Sequence, residues 1–168
     1  MNQKQKVDFK YFLGKFPKID LPITLSEDSH FDFSRVNEPL PLEMIQQYLI
    51  NPKDQVELDD EYGEYIACFQ LKKTEKFHAI VYWKATLLNY QYVMLTFSPK
   101  GTLIDRSVIA GTKVENNTLI RSVATIDEDW IIYVMAGVSA TTEDTYDAAS
   151  SKSFHLELLA TGKIISAE

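Results

Sequence analysis

The stretch YQYVMLTFSPKGTLID, residues 90–105, decides the fold class of this chain. An apolar and aromatic run ends at Ser98, and a second run begins at Thr102. Between them, Pro99 presets the φ angle of the second position of a type I turn, and Gly101 can take the positive φ that a following bulge needs. The stretch therefore predicts an antiparallel β-hairpin.

Similar apolar and aromatic runs lie on both sides of this hairpin, separated by glycines or polar residues. Together they predict eight strands, at residues 65–71, 77–84, 89–97, 102–109, 118–125, 130–137, 154–159 and 163–166. Strand-forming runs at this spacing are typical of an antiparallel meander. Two segments, 79–83 and 130–135, are apolar at every position apart from tyrosine rings, so we expect both of their faces to be covered.

Two short helices are predicted in the first third of the chain. Residues 7–16 repeat apolar side chains at the spacing of one helical face. A second stripe covers 41–51, where Pro41 fits a first helical position and Pro52 follows the last one. Because so short a helix needs tertiary contacts to persist in water, packing of the first helix on the domain's own sheet is favoured, with a partner-binding helix as the alternative.

An extended arm is predicted between the two helices. Residues 19–25 alternate apolar and polar side chains, which indicates a half-buried strand. Pro22 cannot donate a ladder hydrogen bond, so this strand is expected at a sheet edge or in an extended arm. Residues 26–40 show no steady period and are predicted to be irregular.

The patterns together predict a mainly β (α+β) fold, with an antiparallel meander of about eight strands and two short N-terminal helices packed on it. The sequence leaves open whether the sheet stays open, curls into a barrel or splits into two layers. At 168 residues the expectation is one domain. Residues 1–52 would form a cap of helices and edge arm, and residues 65–168 the meander.

Charge and hydropathy disfavour several partners and locations. The chain carries 17 basic and 24 acidic residues, a formal net charge of −7, which repels nucleic acid and anionic membrane surfaces. No apolar run is long enough to span a bilayer. The first six residues are polar with no apolar stretch behind them, so a cytoplasmic location is expected; export stays open for a chain whose leader has been removed.

The residue types used in catalysis do not form a known motif. His30, His78 and His155 are far apart and lack metal-ligand spacing. The chain has no nucleophile elbow, P-loop or dinucleotide-binding motif. Cys68, the single cysteine, lies in an apolar run, so a buried hydrophobic side chain is favoured over a nucleophile. We therefore predict no catalytic residue, metal or cofactor, and keep a spatially assembled hydrolase as the least favoured alternative.

Residues 53–64 are rich in acidic side chains, and their glycine does not fit the ligand spacing of a calcium loop. A solvated loop is the favoured interpretation, with an acidic patch that faces a basic partner as the alternative. This segment and the polar insertion at 139–152 could form one negative face. Our first hypothesis is a non-catalytic binding module that engages a protein partner through that face, as a bacterial inhibitor or immunity-type protein would. Its candidate contact residues are Asp59, Asp60 and Glu61.

Aromatic side chains supply the alternative hypothesis, a carrier of a small apolar ligand. Such side chains often line ligand pockets when they gather at the end of a sheet. The candidates are Tyr82, Trp83, Tyr90, Tyr92, Trp130 and Tyr133. A tryptophan at such a site would change its fluorescence when a hydrophobic ligand binds.

Overall fold

A computed structural model describes residues 6–50, 63–140 and 151–167. Within these ranges the helices are α1 (Phe9–Leu13), α2 (Ser29–Val36) and α3 (Leu42–Met44), the last continuing directly as a π-helix (Ile45–Leu49). The strands are β1 (Lys18–Ile19), β2 (Ile23–Leu25), β3 (Glu64–Leu71), β4 (His78–Ala85), β5 (Asn89–Phe97), β6 (Leu103–Glu115), β7 (Thr118–Ile126), β8 (Ile131–Ala140), β9 (Lys152–Leu158) and β10 (Ile164–Ala167). None of these helices is long and apolar enough to cross a membrane.

The predicted hairpin joins β5 and β6. The Ser98 amide donates to the carbonyl of Thr102 (2.7 Å), and the Gly101 amide donates to the carbonyl of Ser98 (2.9 Å). Gly101 has a φ of 93°, the left-handed conformation that a bulge after a type I turn requires. The two strands pair as antiparallel neighbours, which confirms the prediction.

The strands form one sheet in the order β1-β3-β4-β5-β6-β7-β8-β9-β10, and β2 pairs with β7 off this path. Every pair of neighbours from β3 to β10 is antiparallel, so the predicted meander is confirmed. The sheet as a whole is mixed, because β1 runs parallel to β3. It is also open, with β1 and β10 at its two ends, so the barrel alternative is wrong.

The N-terminal arm forms two strands where the sequence pattern predicted one. Lys18 and Ile19 pair with β3 at the end of the sheet, whereas residues 23–25 pair with β7. Pro22 lies between the two strands and interrupts the ladder, because proline has no amide proton to donate. The arm is therefore an edge strand at one end and a partner of an interior strand at the other.

The prediction that residues 26–40 are irregular was wrong, because they contain α2. No side chain of this helix is fully buried. Phe33 is partly buried against Phe69. The helix therefore lacks the apolar stripe by which a sequence pattern predicts a helix. Asn37, at the end of α2, donates from its side-chain amide to the carbonyls of Ala67 (2.6 Å) and Cys68 (2.9 Å). Those carbonyls lie at a bulge in β3. With α2, the described ranges hold three helical segments, where the sequence pattern predicted two.

Strands β3, β4 and β5 are buried on both faces. On one face α1, α3 and the π-helix form the helix-covered cluster, which includes Phe12, Phe16, Met44, Leu49, Tyr82, Val93, Leu95 and Phe97. On the other face the inner cluster draws side chains from β3 through β9, including Phe69, Trp83, Tyr92, Met94, Ala124, Ile132, Val134 and Leu158. The two-sided burial predicted for residues 79–83 is thus present.

The same prediction was wrong for residues 130–135. Ile132 and Val134 are buried in the inner cluster, but Tyr133 and Met135 are 50% and 59% exposed. In the part of the chain that the structure describes, α1 and α3 pack over β3–β5, and no helix covers the outward face of β8.

Candidate functional site

A cleft of about 320 Å³ lies where the start of α2 meets β4, β5, β6 and β7. This volume is at the lower end of the range for small-molecule sites. Five of its ten lining residues carry a ring. The lining residues are Glu27, Asp28, His30, Phe31, Trp83, Tyr90, Tyr92, Gly111, Thr112 and Ser122.

Trp83 is the centre of a ring stack in this cleft. The His30 ring lies flat on the indole, with centroids 4.1 Å apart and planes 2° from parallel. Tyr90 stacks with Trp83 at 6.0 Å and 16°, and Phe31 lies 4.1 Å from the His30 ring. Trp83 is opposite Tyr92 in the β4–β5 register, and Tyr90 is two residues from Tyr92, so all three share one face of the sheet.

Tyr92 attaches the turn before α2 to the sheet. Its ring is 1% exposed and its hydroxyl donates to the carbonyl of Ser26 at 2.9 Å. Burial raises the pKa of the Tyr92 phenol above its ordinary value, so the hydroxyl keeps its proton. This bond holds the residues that follow Ser26, including Glu27 and Asp28, at the border of the cleft.

Replacing Tyr92 with phenylalanine is expected to lower the free energy of unfolding by about 1 kcal/mol, since it removes one hydrogen bond and keeps the ring. Urea unfolding followed by circular dichroism measures the change. Tyr133→Phe is the matched control: its ring is 50% exposed, and its unfolding free energy should stay within about 0.5 kcal/mol of the parent. Equal effects of the two substitutions would contradict the anchoring role of Tyr92.

The two acidic residues at the cleft differ in their surroundings. The Arg121 Nε atom lies 3.9 Å from a carboxylate oxygen of Glu27. Asp28, by contrast, has no ion-pair or side-chain hydrogen-bond partner among the described residues. Within the described ranges, the cleft thus carries a carboxylate without an oppositely charged neighbour.

Gly111 allows β6 to pass close to β5 beside the cleft. A Cβ atom built on Gly111 would lie 2.1 Å from the carbonyl oxygen of Tyr90, a distance that only glycine can accommodate. Beyond this point β6 pairs with β7 and continues to Glu115, whereas the sequence pattern predicted its end at Ile109. The predicted strand ended too early because the second half of β6 is polar, contains a glycine and lacks an apolar run.

The structure brings three of the six predicted aromatic site residues together in the cleft: Trp83, Tyr90 and Tyr92. Tyr82 points to the opposite face, where its hydroxyl accepts a hydrogen bond from Arg106 (2.8 Å). Trp130 lies outside the cleft and packs edge-on against Phe77 at 5.5 Å. Tyr133 lies on the outward face of β8, also outside it.

The acidic candidates Asp59, Asp60 and Glu61 lie outside the described residues, as does most of the 139–152 insertion. The hypothesis of one acidic face that engages a protein partner therefore stays a prediction. The aromatic alternative rests on residues whose geometry is described.

The sequence pattern did not reveal the contribution of α2 and the turn before it to the site, namely Glu27, Asp28, His30 and Phe31. The sequence did contain a signal for this helix, because Ser26, Asp28 and Ser29 are residue types typical of a helix start. In the structure the Ser26 amide donates to the Ser29 hydroxyl at 2.9 Å. That signal locates the helix start, but it does not indicate that His30 and Phe31 come to line a cleft with Trp83, a strand residue more than 50 positions later.

The other histidines lie away from the cleft. His78 packs edge-on against Phe9 at 5.7 Å, and burial, with a smaller effect of Lys18, lowers its pKa. His155 lies 6.1 Å from the Tyr133 ring. Within the described ranges, no group of three or more His, Cys, Asp or Glu side chains is placed to hold a metal ion.

Comparisons with known proteins do not assign the chain to a class. No protein-family model, curated protein or solved structure matches it. What defines the molecule is its own geometry, an open β-sheet with a ring-lined cleft between its inner face and α2.

Proposed function

We propose that this protein binds a small, largely apolar organic molecule in the cleft and leaves it chemically unchanged. The observation that carries the proposal is the exposure of Phe31 (54%) and Tyr90 (45%) at the border of one cavity. Large apolar side chains that converge, exposed, on a concave surface are typical of ligand sites. Here they continue a ring stack that reaches the buried Trp83.

The fixed position of the cleft walls supports the proposal. Trp83 and Tyr92 are 5% and 1% exposed and belong to neighbouring strands of the sheet. The Tyr92 hydroxyl and the Asn37 amide each attach a different end of the α2 region to the strands. A site whose walls are already in place loses less conformational entropy when a ligand binds.

The chemistry of His30 favours binding over hydrolysis. Its Nδ1 atom is buried and has no hydrogen-bond partner in the described structure. A catalytic base is normally oriented by a second hydrogen-bonded group, and His30 instead offers its ring face to Trp83. His30 therefore contributes aromatic surface to the cleft.

Fluorescence tests the proposal directly. In a Trp130→Phe background Trp83 is the only tryptophan, so its emission reports on the cleft. Titration with 3,3-dimethylbutan-1-ol, a compact apolar alcohol, is expected to change that emission with saturation. Tyr90→Ala should raise the dissociation constant about tenfold, the effect of losing roughly 50 Å² of apolar contact.

Tyr133→Ala is the matched control, because Tyr133 is also an exposed strand tyrosine (50%) but lies outside the cleft. It should leave the dissociation constant unchanged. An emission that responds to neither this alcohol nor its trimethylammonium analogue, or equal losses in the two alanine variants, would show that the cleft is not the binding site.

A further inference from the structure

We infer that the ligand of this cleft carries a positively charged, alkylated ammonium group, so that the cleft is a site for cationic rather than neutral or anionic molecules. This inference rests on the proposed function and names the ligand class of the same site. It depends on three features: the charge of the lining, the rings that border the cavity and the supply of hydrogen-bonding groups.

The charge of the lining is negative. Glu27 and Asp28 border the cavity, and no lysine or arginine is among the described residues that line it. Arg121 approaches Glu27 only to 3.9 Å, and both side chains are more than half exposed. Asp28 is without a cationic partner in the described structure, so a bound cation would supply the opposite charge that the site lacks.

The rings favour the same sign of charge. The faces of tyrosine, tryptophan and phenylalanine are negative, and they attract ammonium groups that lie within about 6 Å of the ring centroid. The indole face of Trp83 is already covered by His30. Phe31 and Tyr90 are the exposed rings, and they reach the cavity from α2 and β5 respectively.

An anion is disfavoured even though α2 begins at the cleft. A helix start binds anions through free backbone amides. Here the Ser29 amide donates to the carbonyl of Ser26 (3.2 Å), and the Phe31 amide donates to that of Asp28 (3.1 Å). Those two donors are used within the turn itself, and the neighbouring carboxylates would repel an anion.

The exposed rings of Phe31 and Tyr90 favour an alkylated ammonium over a bare one, because they offer apolar surface to its methyl groups. A primary ammonium needs acceptors for its three N–H groups. The carboxylates of Glu27 and Asp28 can accept from it, whereas the Ser122 hydroxyl is already engaged with Gly111, accepting from its amide (2.9 Å) and donating to its carbonyl (3.3 Å). A methylated ammonium has fewer or no N–H groups to satisfy and presents methyl surface to the rings.

Two molecules of the same shape test the inference. Choline and 3,3-dimethylbutan-1-ol differ only in a central nitrogen or carbon atom, hence in charge. Titrated against the Trp130→Phe protein, choline is expected to bind about tenfold more tightly, the effect of a partly desolvated cation–π contact. Asp28→Asn should lower this preference about threefold, since it removes one nearby charge.

Asp129→Asn is the matched control, because it removes the same unit charge from a turn that does not line the cleft. It should leave the preference for choline unchanged. Asparagine is as good an N-terminal helix residue as aspartate, so α2 should persist in the Asp28 variant. Repeating the titrations at a higher salt concentration provides a second measurement. The ratio of the two dissociation constants should become smaller, because salt screens the exposed charges.

The outcomes separate the two proposals. Equal affinities for choline and the neutral alcohol would overturn the charged-ligand inference and leave the proposed function in place. Tighter binding of the alcohol, or a preference that Asp28→Asn does not lower, would also overturn it. If neither molecule changes the Trp83 emission, the proposed function fails and the inference fails with it.

Discussion

Replacing Gly111 with alanine is expected to destabilise the protein by about 3 kcal/mol or more, the combined effect of a steric overlap and an unfavourable φ. The added Cβ would lie 2.1 Å from the Tyr90 carbonyl oxygen and 3.0 Å from the Gln91 Cα. Both of these are backbone atoms of a paired strand, so no side-chain rotation can relieve the contact. Gly111 also has a φ of 153°, which alanine rarely adopts.

Urea unfolding of the Gly111→Ala protein measures this effect. Gly14→Ala is the matched control, since Gly14 has a φ of −62° and its added Cβ would meet nothing closer than 3.4 Å. That substitution should be neutral or stabilise by about 0.5 kcal/mol, because alanine restricts the unfolded chain. Equal stability of the two variants would show that β5 and β6 do not approach closely at Gly111.

Phe12→Ala is expected to cost about 3–5 kcal/mol, the usual effect of removing a fully buried phenylalanine. The Phe12 side chain is 0% exposed. It stacks with Tyr48 at 4.3 Å and meets Phe97 of the sheet edge-on at 5.9 Å. Its loss would leave a cavity where α1, the π-helix and β5 meet.

Chemical unfolding again provides the measurement, with Tyr11→Ala as the control on the same helix. Tyr11 is 60% exposed, so its removal should change stability by no more than about 0.5 kcal/mol. This pair also separates the two roles considered for the first helix. A small effect of Phe12→Ala would indicate that the helix is not packed on the sheet and would favour the partner-binding alternative.

The fold was predictable where local chemistry and hydrophobic pattern agree. At Ser98–Gly101 a proline and a glycine stand at the two positions where a type I turn with a bulge needs them, and the hairpin is present. α2 was not predictable in the same way, because a helix that buries no side chain completely has no apolar period. Its position depends on Asn37 and a bulge in β3, some 30 residues later in the chain.

The strand residues of the candidate site were predictable from the sequence, and the residues on and before α2 were not. Trp83, Tyr90 and Tyr92 were recognised as aromatic residues of neighbouring strands, and strand register places them on one face. Tyr82 differs from Trp83 by one position, which puts it on the opposite face, and residue type alone does not reveal this. His30 and Phe31 reach the cleft through tertiary packing of α2, for which the local sequence provides no pattern.

The pairing of the N-terminal arm sets an order of events during synthesis. Lys18 and Ile19 pair with residues 70 and 71, and Ile23–Leu25 pair with residues 124–126. The arm therefore leaves the ribosome long before its partners exist, and β2 must wait for about a hundred further residues. Until β7 emerges, the nascent chain carries this apolar segment without its strand partner, so the start of the chain can join the sheet only after residues 124–126 have been made.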